Sequence, residues 1–80
     1  MSALSIAFGA KLRSIRKTRG FSQDGLALAA GVDRSYMGRV ERGEVNITLE
    51  RLYRFAQTLN CSPKDLLPDV DIDLACPIQS

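Results

Sequence analysis

Apolar residues recur at helical spacing along most of the chain, and each run is bounded by a cap or a glycine. Phe8, Leu12 and Ile15 fall on one side of a first helix, with Lys11, Arg13, Arg16, Lys17 and Arg19 filling much of the remaining circumference and Gly20 as its stop. Ser22 is placed to accept from the free N–H groups of a second helix, whose buried side is Leu26, Ala27 and Ala30 and whose end is Gly31. Asp33 is an N-cap residue for a third helix carrying Tyr36, Met37 and Val40, which Gly43 stops. Thr48 caps a fourth, in which Leu49, Leu52, Ala56 and Leu59 form a narrow apolar stripe flanked by Tyr53 and Phe55. Ser62, Pro63 and Asp65 make a helix start with a capping box, so a fifth helix is expected, with Leu66 and Leu67 buried beneath it.

No strand is expected. After Pro68 the run Asp-Val-Asp-Ile-Asp alternates acids with β-branched residues and has no partner strand, so it is read as irregular. The pattern predicts an all-α, five-helix domain over residues 1–67, followed by an acidic tail over residues 68–80. So few helices leave a thin core, and pairing with a second copy through helices four and five would enlarge it. Tyr53 and Phe55 cannot both face the central stripe, so either one aromatic edge is left outward as an anchor for such a contact or both rings wrap around the monomer core.

At 80 residues, 45% hydrophobic and 25% charged, the chain has room for one core and excludes a multidomain enzyme. No apolar run approaches the roughly 20 residues that span a bilayer, and residues 1–10 lack the basic start and apolar stretch of a signal peptide. A cytoplasmic protein is expected. There is no His, and Cys61 and Cys76 have no second ligand at metal spacing, so no metal or cofactor is expected. Counting alone does not separate one disulfide from two thiols, but in an intracellular chain idle thiols fit better. General acid–base chemistry lacks a His, and no phosphate loop or carboxylate pair can be placed, which argues against an enzyme.

Charge is unevenly spread. Residues 1–64 carry all 11 Lys and Arg against five acids, a balance of +6, whereas residues 65–80 carry four acids and no base, a balance of −4. A basic body suits a polyanion, since Lys and Arg that meet phosphates release condensed counterions; it would equally keep a small domain soluble.

The joint pattern over residues 22–43 favours the polyanion. Counting from Gln23, apolar residues stand at positions four (Leu26), eight (Ala30), ten (Val32), fifteen (Met37) and eighteen (Val40), with Ala27 at five and Gly31 at nine. Ala27 lets two steeply crossing helices approach, Gly31 takes the left-handed conformation of a tight turn, and Val32, Met37 and Val40 anchor the second helix to the first. Together these positions specify a helix-turn-helix.

The chain resembles the lambda-repressor-like, XRE-type family of small DNA-binding proteins over residues 12–67, and within it the controller proteins of restriction–modification systems. The resemblance rests on Leu-Arg-Ser-Ile-Arg-Lys-Thr-Arg-Gly-Phe-Ser-Gln (residues 12–23), Asp-Arg-Ser-Tyr (33–36), Val-Glu-Arg-Gly-Glu (40–44) and Asn-Ile-Thr-Leu-Glu-Arg-Leu (46–52). It implies a transcriptional regulator, acting as a homodimer on a pseudo-palindromic operator of double-stranded DNA, with helix three in the major groove. Arg34, Ser35 and Arg39 would then face base edges, and Arg34 could bond O6 and N7 of guanine together. Pairing of Arg34 with Asp33 or with phosphate is the other reading. Gln23 would offer its amide and the helix N-terminus to a phosphate, or be a solvated glutamine. Tyr36 would direct its hydroxyl to phosphate, or be a core ring with a wet tip. Arg42 and Asn46 would hold the far edge of the groove, positioning without specifying.

The resemblance also implies an ion pair between Arg16 and Glu41 that ties helix one to helix three, which removes both from the DNA-facing set. Two positions depart from the family pattern. Gly25 stands where glutamate would complete a capping box, and Gly38 sits inside helix three, where glycine disfavours helix by roughly 1 kcal/mol relative to alanine. An alternative function from a different class is an antitoxin or protein-interaction module, with the acidic residues 69–73 and Val70, Ile72 and Leu74 of the tail as the contact segment; the other reading of the tail is a loose chain end.

Overall fold

The computed structural model describes residues 2–69, and no strand occurs among them. Four α-helices follow in order: α1 Ala3–Thr18, α2 Gln23–Ala30, α3 Arg34–Glu41 and α4 Leu49–Leu59. No helix among the described residues is long and apolar enough to cross a membrane.

The caps fall where side-chain chemistry places them. Ser22 accepts from Gly25 N at 2.9 Å, Asp33 from the backbone of Ser35 and Tyr36, and Thr48 from Arg51 N at 3.1 Å. Gly31, at φ 72°, turns the chain from α2 toward α3, and Val32 N then donates back to Ala27 O at 2.9 Å. Helix α1 extends well before Phe8, because Ser2 caps it through Ser5 N.

The expected fifth α-helix is instead a single turn of 3-10 helix, Pro63–Leu66. Its capping box is present, with Ser62 and Asp65 bonded reciprocally. The turn cannot grow, because Pro68 disfavours the helical conformation for the residue before it; Leu67 is extended, at φ −85° and ψ 137°. With four residues the segment closes its bonds at i→i+3, Asp65 N to Ser62 O and Leu67 N to Lys64 O.

One core joins all the elements. Phe8 and Leu12 of α1, Leu26, Ala27 and Ala30 of α2, and Met37 and Val40 of α3 meet Leu52, Phe55, Ala56 and Leu59 of α4 and Leu66 of the 3-10 turn. Two apolar residues expected inside are outside. Leu49 is 73% exposed at the first position of α4, and its place in the stripe is taken by Phe55, so the buried seam is Leu52, Phe55, Ala56 and Leu59. Leu67 is 47% exposed, because the extended turn before Pro68 swings it away from Leu66. Of the two aromatics flanking the stripe, Phe55 is buried and Tyr53 is the outward one, 56% exposed.

Helix α1 crosses the C-terminal end of α3 at Gly9, where the two backbones are in direct contact. That crossing fixes α3 relative to the rest of the domain. Residues 70–80, which include Val70, Ile72, Leu74 and Cys76, lie outside the described residues.

Candidate nucleic-acid interface

Helix α3 buries Met37 and Val40 and turns the opposite side to solvent, so Arg34, Ser35, Arg39 and Arg42 share an exposed face. The spacing dictates this: residues 34, 38 and 42 stack at i, i+4, and residues 35, 39 and 42 at i, i+4 and i+7. Gly38 lies at the middle of the face, covered by its neighbours. A Cβ at Gly38 would stand 3.1 Å from Arg42 Nη1 and 3.6 Å from Gln23 Oε1. The missing side chain thus leaves a notch into which the Arg42 guanidinium folds beside Gln23.

Each outward arginine has a different state. Arg34 Nη1 lies 3.3 Å from Asp24 Oδ2, with the two side chains 75% and 65% exposed; the partner is Asp24 of α2 and not the adjacent Asp33, whose carboxylate is spent on the helix cap. Arg42 Nε donates to Glu44 Oε2 at 2.7 Å and Nη2 to Oε1 at 3.4 Å. That hydrogen bond, with the charge of the carboxylate, raises the Arg42 pKa above its ordinary value. The same bond, joined by the positive charge of Arg42 and Arg39, holds the Glu44 carboxyl below the usual glutamate value. Arg39 is exposed and makes no ion pair within 4.0 Å among the described residues.

A buried polar cluster holds this face in place. Arg16 of α1 forks onto Glu41 of α3, Nε to Oε2 at 2.6 Å and Nη2 to Oε1 at 3.1 Å, and its Nη1 donates to Phe21 O at 2.9 Å. The expected tie between the first and third helices is therefore present, and its two charges are hydrogen-bonded as burial requires. Gln23 joins it: its Nε2 donates to Glu41 Oε1 at 3.0 Å. Gln23 is thus neither a plain solvated glutamine nor an amide turned fully outward; one amide hydrogen faces the cluster.

Tyr36 is partly buried, packs against the core, and carries Arg51 of α4 over its ring at 4.7 Å from the centroid. The ring packs on the core, and the guanidinium above it adds a cation–π contact between α3 and α4. Asn46, on the segment between α3 and α4, is exposed, and its Oδ1 accepts from Ser5 Oγ at 2.6 Å. Of the seven residues the sequence nominated, Arg34, Ser35, Arg39 and Arg42 lie on one face, with Gln23 and Tyr36 tucked behind its ends and Asn46 on the adjoining segment. Sequence reasoning passed over Asp24, Glu44, Ser5 and Arg51, each of which holds a nominated side chain. Asp24 and Glu44 carried a signal in being acids beside a basic segment; Ser5 and Arg51 carried none, because their partners are distant in sequence.

The helix-turn-helix family model HTH_3 matches residues 12–66. Control protein C.BamHI of Bacillus amyloliquefaciens is 35% identical over 65 residues, which cover 80% of each chain. Control protein C.SmaI of Serratia marcescens is 45% identical over 56 residues, 70% of this chain and 67% of its own. The crystal structure of the restriction–modification controller protein C.AhdI from Aeromonas hydrophila superposes with a TM-score of 0.75 at 42% identity, covering 78% of this chain and 94% of that one. A family match spanning most of the domain, the same helical architecture and the turn at Gly31 agree, and the chain belongs to the HTH_3 helix-turn-helix family.

Proposed function

We propose that this protein is a transcriptional regulator that binds double-stranded DNA sequence-specifically, as a homodimer on a pseudo-palindromic operator, with α3 in the major groove. The observation that carries the reading is the outward face of α3, where three arginines and Ser35 project from a helix clamped from behind by Arg16 and Glu41. Arg34, Ser35 and Arg39 read base edges, and Arg34 favours guanine because its planar fork matches O6 and N7 together. Gln23, Tyr36, Arg42 and Asn46 meet the sugar–phosphate backbone and fix the register. The resemblance to control proteins of restriction–modification systems makes such an operon the preferred setting, and the cytoplasm the place of action.

The surface for the second copy is the apolar groove between the start of α1 and the start of α4. Leu4, Leu49 and Leu67 border it and are all exposed, and Phe8 and Leu52 form its floor. Apolar edges of this kind are what a thin monomer core leaves for pairing. Two-fold symmetry then sets the half-sites about one helical turn apart, near 10 base pairs. The DNA-binding domain is taken as residues 1–67, followed by the acidic stretch 68–80.

Selection of bound sequences from a random duplex library at physiological salt tests the reading. The expected result is an inverted repeat containing a guanine preference, which Arg34→Ala relaxes at a cost of about 1–3 kcal/mol. Recovery of no motif, or of the same motif at the same affinity by Arg34→Ala, overturns the assigned docking. Sedimentation equilibrium of Leu49→Glu beside the parent tests the pairing surface, with dissociation to monomer expected.

A further inference from the structure

Ser5 is a buried hydroxyl on the first turn of α1, far in sequence from any residue nominated for DNA. Its Oγ accepts a hydrogen bond from Ser2 Oγ at 3.0 Å and donates one to Asn46 Oδ1 at 2.6 Å. Ser2 Oγ in turn accepts from Ser5 N as the cap of α1. With the amide in this orientation the bonds run from the helix cap through Ser5 to the amide oxygen of Asn46.

That direction matters because the two ends of an asparagine amide are chemically opposite. The oxygen only accepts and the NH2 group only donates, and a half turn of the side chain exchanges them. A phosphate oxygen only accepts, so an amide presenting its oxygen to DNA makes no bond and places two negative dipole ends together. With Oδ1 held by the buried hydroxyl, the Nδ2 group of the exposed Asn46 is the end left for solvent and its solutes.

We infer that Ser5 is a positioning residue for DNA binding, which sets the amide of Asn46 so that its NH2 group faces a backbone phosphate. The inference rests on the reading of Asn46 as a backbone contact. Ser5 itself does not touch DNA. Its contribution is preorganisation: the amide stands in that orientation in the free domain.

The test is a double-mutant cycle in Ser5→Ala and Asn46→Ala, with affinity measured on the duplex recovered by library selection and on an unselected random duplex pool. Thermal unfolding of each variant is followed alongside. Ser5→Ala is expected to weaken binding by about three- to tenfold on both probes, the worth of one hydrogen bond, with the base preference unchanged. In the Asn46→Ala background the same substitution is expected to have no further effect on affinity, whatever it does to the unfolding temperature. Ser5→Thr, which keeps the hydroxyl, is expected to restore most of the affinity. Equal weakening by Ser5→Ala with and without Asn46 overturns the inference, since the residue then acts through the fold. An unchanged affinity for Ser5→Ala beside a weakened Asn46→Ala also overturns it, while leaving Asn46 as a backbone contact. Should Asn46→Ala bind like the parent, the reading of Asn46 itself fails and the inference falls with it.

Discussion

Gly9 of α1 lies flush against the backbone of Glu41 in α3: a Cβ on Gly9 would fall 2.5 Å from the Glu41 carbonyl oxygen and 2.5 Å from that of Val40. Both obstructing atoms are main chain and cannot rotate away. Gly9→Ala is therefore expected to destabilise by about 1–3 kcal/mol through overpacking, outweighing the gain of roughly 1 kcal/mol that alanine brings to a helix interior. Urea denaturation of Gly9→Ala beside Gly20→Ala separates the two causes of glycine use. Gly20→Ala, at φ +81° with no atom near the Cβ position, should cost only the left-handed strain that alanine introduces, about 1–2 kcal/mol.

Removing one partner of the Arg16–Glu41 fork leaves the other charge buried and uncompensated. Arg16→Ala is expected to cost about 3–5 kcal/mol of stability. Gln23→Ala should cost less, about 1.5 kcal/mol, because Glu41 keeps both bonds from Arg16. Equilibrium unfolding measures both. Equal losses would mean that Gln23 is as necessary to the cluster as the charge itself.

Gly38→Ala has opposite effects on folding and on binding. Alanine favours helix by roughly 1 kcal/mol, and the nearest obstruction is the far end of Arg42, at 3.1 Å. The variant should melt at a higher temperature while Arg42 moves out of its notch. Weaker DNA affinity in the parent background, with no such loss in an Arg42→Ala background, would identify the notch as the reason glycine is tolerated there.

Partial burial, with the nearby charge of Asp65, pushes the Cys61 thiol above its ordinary pKa. Less thiolate is then present at mildly alkaline pH, and the thiolate is the reactive form. Cys61 in a Cys76→Ser variant should react with a disulfide reagent more slowly than a solvent-exposed peptide thiol. The linkage has a definite sign: the raised value favours the neutral thiol in the folded state. Its stabilising contribution is full below the ordinary thiol range of about 8.5 and is lost as pH rises through the folded value. Unfolding free energy measured upward from pH 8 should fall in that window and be flatter in Cys61→Ala.

The turns and caps of this fold were legible because their chemistry is local. Ser22, Asp33, Thr48 and Ser62 bond atoms two or three residues away, so identity and spacing suffice to place them. Helix phase at the ends was not legible. Leu49 extends the Leu52–Ala56–Leu59 series as well as Phe55 does, and only the packing of α4 against α2 and the 3-10 turn decides that Phe55 enters the core. The fifth element is one 3-10 turn and not an α-helix because a capping box announces a start and says nothing of length; Pro68 sets the length. In the candidate site, the arginine face followed from the 3.6-residue period. The side chains that hold it did not, since Ser5 meets Asn46 across 41 residues and Arg16 meets Glu41 across 25.

Two arginines of the α3 face already hold carboxylates, Arg34 through Asp24 and Arg42 through Glu44. The domain in effect carries its own competing carboxylates. When a phosphate displaces Glu44 from Arg42, one cation leaves the duplex, but the released carboxylate draws another from solution. The net uptake and release of ions is then smaller than the number of arginines on the face, and affinity should fall less steeply with salt than that number alone dictates.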